Sequence, residues 1–376
     1  MKLLYVVDAR MPTEKIHGYQ VIKMAEAFVK HGATIRLVLP RRKNYIEESI
    51  ENFYNLKNPL DIKYIPNYFS FLENLSERIY FPIHRVCFIL HAWLYCLFLK
   101  QTVFSRNIMV CFLLGLLGQP VIYEDHEPKT GFKWLYKLFL RVINKKVIVA
   151  VNIEELYKKF GIKKETYILA PNGADIEEFN RVPADKSIWQ REFNIASHEK
   201  IVLYVGHFYK WKGVETLLES APDIQGKVVL IGGIPQDQSK IKQIADKKGL
   251  KNVHIHSFLP HDKIIKYIKS ADILVLPNTA KEERSAKYTT PIKMFEYMAA
   301  GAPIVASDIP SFSPYLKHNN NAYLCQPDDP KDLALKINLV LSDSELSDQL
   351  NKQAYIDVQN YTWDKRVEKI INFINK

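Results

Sequence analysis

Three short stretches carry the residue types from which a binding or catalytic site is made. In "YVGHFYKWKGVETLL" an apolar run ends at Gly206, the cationic loop of His207, Lys210 and Lys212 follows, and Gly213 precedes a helical pattern. Ammonium groups and the amides of a helix start then converge on one point, an arrangement suited to phosphate. In "YTTPIKMFEYMAAGAPIVASDIP", Thr290 reads as an N-cap, Pro291 as the first helical residue and Gly301 as the stop. This helix follows "ADILVLPN", so its start lies at the carboxyl end of a buried strand, where an anion is expected. Its one carboxylate, Glu296, lies within reach of the hydroxyls of a bound group, while Phe295 and Met298 face the core. The third stretch, "VIYEDHEP", ends a strand pattern on Glu124, Asp125 and His126.

The elements that must position these residues recur in two series. Apolar β-type runs such as KLLYVVDA, TIRLVLP, PVIYEDH and KVIVAVN alternate with helical patterns in the first half, and KIVLYVG, KVVLIGG, VHIHSF, ILVLPN and PIVASD do so in the second. Near-continuous apolar strands separated by helices predict parallel sheets covered on both faces. Two such series predict two doubly wound α/β domains, with ligands at the carboxyl ends of the strands. The charge-rich segment from Gly173 to Ala196 is the expected linker. Neither half carries GxGxxG, which removes the main support for a dinucleotide-dependent dehydrogenase.

Composition narrows the partner. The chain has 376 residues, 47% of them hydrophobic and 25% charged, an ordinary globular composition with room for two domains. Residues 1–183 hold 26 Lys and Arg against 18 Asp and Glu, whereas residues 184–376 hold 26 against 23, so the basic excess sits in the first half. Basic surface implies nucleic acid, anionic lipid or a phosphorylated metabolite. Nucleic acid is the weakest of the three, since there is no zinc-finger spacing, RNP-type motif or basic repeat. The four cysteines form no CxxC pair, as expected of reduced thiols in a cytoplasmic protein. "VCFILHAWLYCLFL" falls short of the ~20 residues of a membrane span and is bounded by Arg85 and Lys100, so it is expected to be a core helix. "GFKWLYKLFLRVINKK" has Lys133, Lys137, Arg141 and Lys145 at helical spacing around Trp134, Leu138 and Phe139. Both a half-buried packing helix and a peripheral contact with an anionic membrane fit that pattern.

Taken together, the motifs resemble the retaining GT-B glycosyltransferases of family four. "FYKWKGVETLL", "ADILVLPN" and "PIKMFEYMAAGAPIVASDIPS" stand in that family's order, "ILAPNGADIEEF" resembles its interdomain segment, and "KIHGYQVIKMAEAFVKHG" its first glycine loop and helix. The resemblance implies two Rossmann-like domains facing a central cleft, an acceptor-side domain over 1–180 and a nucleotide-sugar domain over 181–355. It also implies a C-terminal helix over 356–376, "YTWDKRVEKIINFI" within it, crossing back to the first domain. It implies transfer of a sugar, with retention, from a UDP or GDP type donor to a glycan or lipid-linked acceptor, as in polysaccharide biosynthesis. No cofactor is implied beyond the sugar nucleotide as substrate, and no metal. By the same resemblance Glu296 accepts the ribose hydroxyls, Lys212 neutralises the leaving diphosphate, and His126 stands beside the donor sugar. Gly18 brings its amide to the diphosphate, and Thr290, Ile292 and Lys293 hold the distal phosphate.

Departures from the family pattern matter. Tyr288 occupies the place of a second glutamate, so the donor sugar is not inferable, and His207 stands where an arginine is usual, with Lys210 as the expected substitute. Phe258 and His261 in "HSFLPHDK" lie near where a nucleobase should pack, with a core phenylalanine and a surface histidine as the alternative readings. Two other functions fit the fold, a nucleotide-sugar epimerase and a non-catalytic partner subunit. The second is disfavoured by the joint presence of Gly18, His126, Lys212 and Glu296.

Overall fold

A computed structural model describes residues 1–56, 58–66, 77–128 and 131–376. The chain divides into two compact units, the first of residues 1–149, 153–171 and 363–376, the second of residues 150–152 and 172–362. It crosses between them at Pro171 to Asn172, ahead of the expected boundary after residue 180, and returns at Trp363.

The first unit is built on a seven-stranded parallel sheet of β1 (Lys2–Val6), β2 (Thr34–Pro40), β3 (Asp61–Ile65), β4 (Thr102–Ser105), β5 (Val121–Asp125), β6 (Lys145–Ile148) and β7 (Tyr167–Leu169). Their spatial order is β3-β2-β1-β4-β5-β6-β7. Leu3, Leu4, Tyr5 and Val6 are fully buried, so β1 is covered on both faces, which is why it reads as an unbroken apolar run. Its neighbours β2 and β4 pair with it in parallel, so the strand order reverses beside β1. The last helix of the chain, Trp363–Ile374, packs beside the Ile16–Lys30 helix within this unit.

The second unit repeats the plan. Its six parallel strands are β8 (Ile201–Val205), β9 (Lys227–Ile231), β10 (Val253–His256), β11 (Ile273–Leu276), β12 (Ile304–Ser307) and β13 (Tyr323–Cys325), in the order β10-β9-β8-β11-β12-β13. The reversal between β8 and β11 is the switch point at which an open α/β sheet leaves room for a ligand.

Two expectations are corrected. The segment 173–196 is no loose linker: it forms the helices Ile176–Arg181 and Ser187–Phe193, whose Ile176, Phe179, Ile188 and Trp189 are buried in the second unit's core. Nor is the Glu77–Leu99 helix a core helix, because only one of its faces is covered and the opposite, equally apolar face is exposed.

The loop after β8 is fixed sterically. Gly213 has φ +70°, and a Cβ there would lie 1.7 Å from the Pro277 carbonyl oxygen beyond β11. Gly249 has a similar φ of +63° with open space around it. Gly213→Ala should therefore cost more than the ~1 kcal/mol of dihedral strain that Gly249→Ala incurs, by about 1–3 kcal/mol, seen as the larger drop in Tm of the two variants.

Candidate active site

At the switch point of the second unit three cations gather. The Lys212 Nζ lies 3.9 Å from the centroid of the Trp211 ring, and the Arg284 guanidinium approaches the same ring at 5.0 Å. Lys293 donates from Nζ to the Val205 carbonyl at 3.2 Å and sits 3.7 Å from the Tyr204 ring centroid. A Cβ on Gly206 would come within 3.7 Å of the Lys293 Nζ, so the amine lies directly over the end of β8. Burial, reinforced by the charge of Arg284, pulls Lys212 down to about 7. Burial and the charge of Lys212 hold Lys293 well below the usual lysine range, offset only in part by Glu296. Cations that depress one another in this way gain most from an anion placed among them.

The helix Ile292–Ala299 begins beside them. Pro291 rather than Thr290 is its N-cap, and no side chain caps it; the Met294 amide donates to the Pro291 carbonyl at 3.1 Å, and the amides of Ile292 and Lys293 ahead of it are the ones left to a ligand or water. Thr290 is buried, and its carbonyl accepts from Asn172 Nδ2 at 2.6 Å, which fixes the chain entering the helix. Gly301, with φ +86°, lies just past the C-cap Ala300.

Glu296 is buried on this helix, and its Oε1 accepts from His261 Nε2 at 2.6 Å. Burial opposes a charge on His261, but Glu296 and Glu178 together raise its pKa to about 9, so the imidazolium is the form that holds the carboxylate. One oxygen of Glu296 is thereby committed, and the second is the acceptor that remains for a bound hydroxyl. His261 is not the surface histidine of one sequence reading.

The remaining expected residues are placed less centrally. The ring of His207 stacks on Tyr209 with centroids 4.9 Å apart, and Tyr209 in turn faces Trp211 at 6.2 Å, so the three rings form a ladder leading to Lys212. Lys210 is exposed, and the cation beside Lys212 is Arg284 instead. Phe258 is exposed beyond the end of β10.

The first unit presents a second constellation. Glu124 is completely buried, and its Oε2 accepts from Arg106 Nε at 2.6 Å and lies 3.0 Å from His126 Nε2. Its Oε1 accepts from Arg366 at 2.6 Å, and Arg366 also donates to the Ala170 carbonyl. Although burial opposes ionisation, the two guanidiniums keep Glu124 well below the usual carboxylate range. Burial and the charge of Arg106 outweigh Glu124 and push His126 down to about 4, so its ring is neutral. A neutral ring whose Nε2 faces a carboxylate carries its proton there, which leaves Nδ1 as a lone-pair acceptor. Gln20 lies 3.5 Å from the same Nε2. Asp125 turns the other way, accepting from the hydroxyls of Tyr123, Tyr136 and Tyr157 inside the core. Gly18 is packed rather than open: its amide donates to the Lys15 carbonyl at 2.9 Å, and a Cβ would lie 2.1 Å from the Tyr54 hydroxyl.

Three functional candidates, Arg284, Arg106 and Arg366, and the partner of a fourth, His261, were not evident in the sequence. Arg284 follows two glutamates in a run of charges and gives no local signal. The His261 partnership with Glu296 and the role of Arg106 depend on contacts between distant segments. Arg366 did leave a trace, as a charge on the inward stripe of Trp363, Val367 and Ile370.

Residues 185–357, most of the second unit, match the family model described as Glycosyl transferases group 1. An uncharacterised glycosyltransferase of Methanocaldococcus jannaschii is 26% identical over 226 residues, covering 58% of this chain and 56% of that relative. The N,N'-diacetylbacillosaminyl-diphospho-undecaprenol alpha-1,3-N-acetylgalactosaminyltransferase of Campylobacter jejuni is 26% identical over 233 residues, covering 60% of this chain and 59% of its own length. The matches thus span a little over half the length of these curated relatives. Among solved structures, Anabaena HepE in complex with UDP-glucose superposes with a TM-score of 0.78 at 15% identity, covering 100% of this chain and 99% of that one. The fold is GT-B.

The depressed lysines set a pH dependence. An anion favours the charged amines, so binding raises their pKa, and above about pH 7 the protein must take up protons to bind. Affinity for an anion placed among them, with pyrophosphate as the probe, should therefore fall as pH rises from 7 to 9, and calorimetry in buffers of different ionisation heat should register proton uptake at pH 8. In Lys212→Met most of that uptake should disappear.

Proposed function

With a second unit that is a group 1 glycosyltransferase domain as premise, we propose that the protein transfers a sugar, with retention, from a UDP or GDP type sugar nucleotide to a glycan or lipid-linked acceptor. The observation that carries this reading is the gathering of Lys212, Lys293 and Arg284 around an uncapped helix start, with the buried carboxylate of Glu296 on the same helix. That set matches a nucleoside diphosphate: cations and amides for the phosphates, a carboxylate oxygen for ribose hydroxyls. HepE, whose fold this chain shares, was solved with UDP-glucose, which supports the same class of donor.

In the proposed reaction the bond between the anomeric carbon and the diphosphate oxygen breaks, with the electron pair leaving on that oxygen. The acceptor hydroxyl forms the new bond on the same face, and its proton passes to the departing phosphate. Negative charge grows on the diphosphate as the bond breaks, so Lys212, Lys293 and Arg284 act more strongly on the transition state than on the bound donor. No cofactor or metal ion enters this proposal. Neutral His126, its Nε2 proton held by Glu124, offers Nδ1 as an acceptor for a hydroxyl of the sugar or the acceptor.

A lipid-linked acceptor is favoured by a cleft of about 390 Å³ that follows directly on His126. It is lined by Glu127, Pro128 and the apolar faces of Ile108, Phe132, Leu135 and Phe139. The Campylobacter relative is named for a diphospho-undecaprenol acceptor, which supports the same class.

A thermal-shift screen over UDP and GDP sugars identifies the donor, because ligand bound to the folded state raises the midpoint. At saturating donor, Lys212→Ala should lower turnover by about two to four powers of ten, with a smaller loss of donor affinity. The product should keep the donor's anomeric configuration by NMR. An inverted product, conversion of the sugar without an acceptor, or normal turnover in Lys212→Ala would overturn the proposal.

A further inference from the structure

The Glu77–Leu99 helix has an outward face that an ordinary surface helix does not have. His84, Phe88, Ala92 and Cys96 are buried at every fourth position, which fixes the inner face. Opposite them Val86, Leu90, Leu94 and Phe98 are between 40% and 82% exposed. From Val86 to Leu99 the helix has no Asp, Glu, Lys or Arg, so solvent meets apolar side chains along about 18 Å of it. A helix apolar on all sides belongs in a core or in lipid, and here one side is in the core.

The patch extends beyond this helix. The connections β3 to β4, β4 to β5 and β5 to β6 all run in the same direction across the sheet, so right-handed crossovers place their helices on one face. The Glu77–Leu99 helix packs beside Ile108–Leu116, and that helix beside Lys133–Val142. These neighbours add exposed Leu116 and Leu117, then Phe132 and Trp134, which are 70% and 69% exposed. Such a surface exceeds the isolated apolar side chains that need no explanation.

The helix is also anchored so that it lies along the unit. Arg36 donates to the Tyr95 hydroxyl at 3.1 Å, and Gln119 to the Cys96 carbonyl at 2.9 Å. It therefore presents its outer face without leaving the fold, as an interfacial helix does.

We propose that this three-helix face docks on the surface of an anionic lipid bilayer. The charges around the patch select that occupant: Arg78 and Lys100 flank the stripe, and Lys133, Lys137 and Arg141 lie on the third helix, whereas Arg85 is paired with Asp8 at 3.0 Å. Neither the segment 78–99 nor 133–142 contains an acidic residue. A second copy of the chain would bring cations against cations, whereas anionic headgroups neutralise them while Leu90, Leu94, Phe98 and Trp134 enter the acyl boundary. Lys145, expected on this basic face, is not part of it, because its Nζ donates to the Phe373 and Ile374 carbonyls.

The test is flotation of the full chain with phosphatidylcholine vesicles, with and without phosphatidylglycerol. Wild type should float with the anionic vesicles, less so at high salt. Leu90→Glu with Leu94→Glu should reduce binding about tenfold or more, and so should Lys133→Glu with Arg141→Glu at low salt. Quenching of tryptophan by brominated anionic lipid in wild type and Trp134→Tyr tests insertion without altering the stripe, and the wild type should lose the greater share of its emission. Wild type that ignores anionic vesicles would overturn the proposal. So would a dimer, seen by light scattering, that the leucine substitutions split, since a second copy would then cover the face. These outcomes are read without substrate, so they stand apart from the success or failure of the sugar-transfer reading.

Discussion

The buried carboxylate of Glu124 is the interaction on which the first unit turns. A lone carboxylate at zero exposure would be too costly to keep charged, and removing one partner of such an ion pair commonly costs about 3–5 kcal/mol. Here two guanidiniums share it, Arg106 from the end of β4 and Arg366 from the last helix, so a strand end, a neighbouring strand and a segment 242 residues distant are tied at one point. The same carboxylate accepts the hydrogen bond that His126 Nε2 donates. Holding the helix in place and choosing the tautomer of His126 are thus two effects of one charge.

The second unit solves a different electrostatic problem. Where the first unit neutralises its buried charge internally, the second leaves Lys212, Lys293 and Arg284 to repel one another around an uncapped helix start. Close packing of the loops keeps them together, since Gly213 lies against the Pro277 backbone and Gly206 beneath Lys293. The repulsion is a free-energy cost of the empty state that an anion relieves, which makes the same residues preorganised for charge that develops in a reaction. Glu296 contributes differently, because His261 fixes its orientation and leaves one oxygen outward.

Much of this was legible in the sequence, for identifiable reasons. Parallel strands buried on both faces leave long apolar runs, and a helix start after such a run marks a ligand position, so both sheets and the neighbourhood of Lys212, Lys293 and Glu296 were recoverable. Lys210 was overvalued because spacing along a loop does not tell which side chain turns inward. Arg284 was missed, and the pairing of His261 with Glu296 was not foreseen, because both depend on what the fold brings together. The Glu77–Leu99 helix was misread because an apolar helix has the same composition whether its outer face meets protein or lipid, and only exposure separates the two.

The return of the chain to the first unit also orders events in time. Arg366 and the Trp363–Ile374 helix are made after the whole of the second unit, yet the first unit's buried carboxylate needs them. On a ribosome, which releases sequence at roughly 5–20 residues per second, the first unit would stand for many seconds with Glu124 short of one counter-charge while its neighbour folds. Of the two units, the one that begins first is thus finished only after its neighbour has been made.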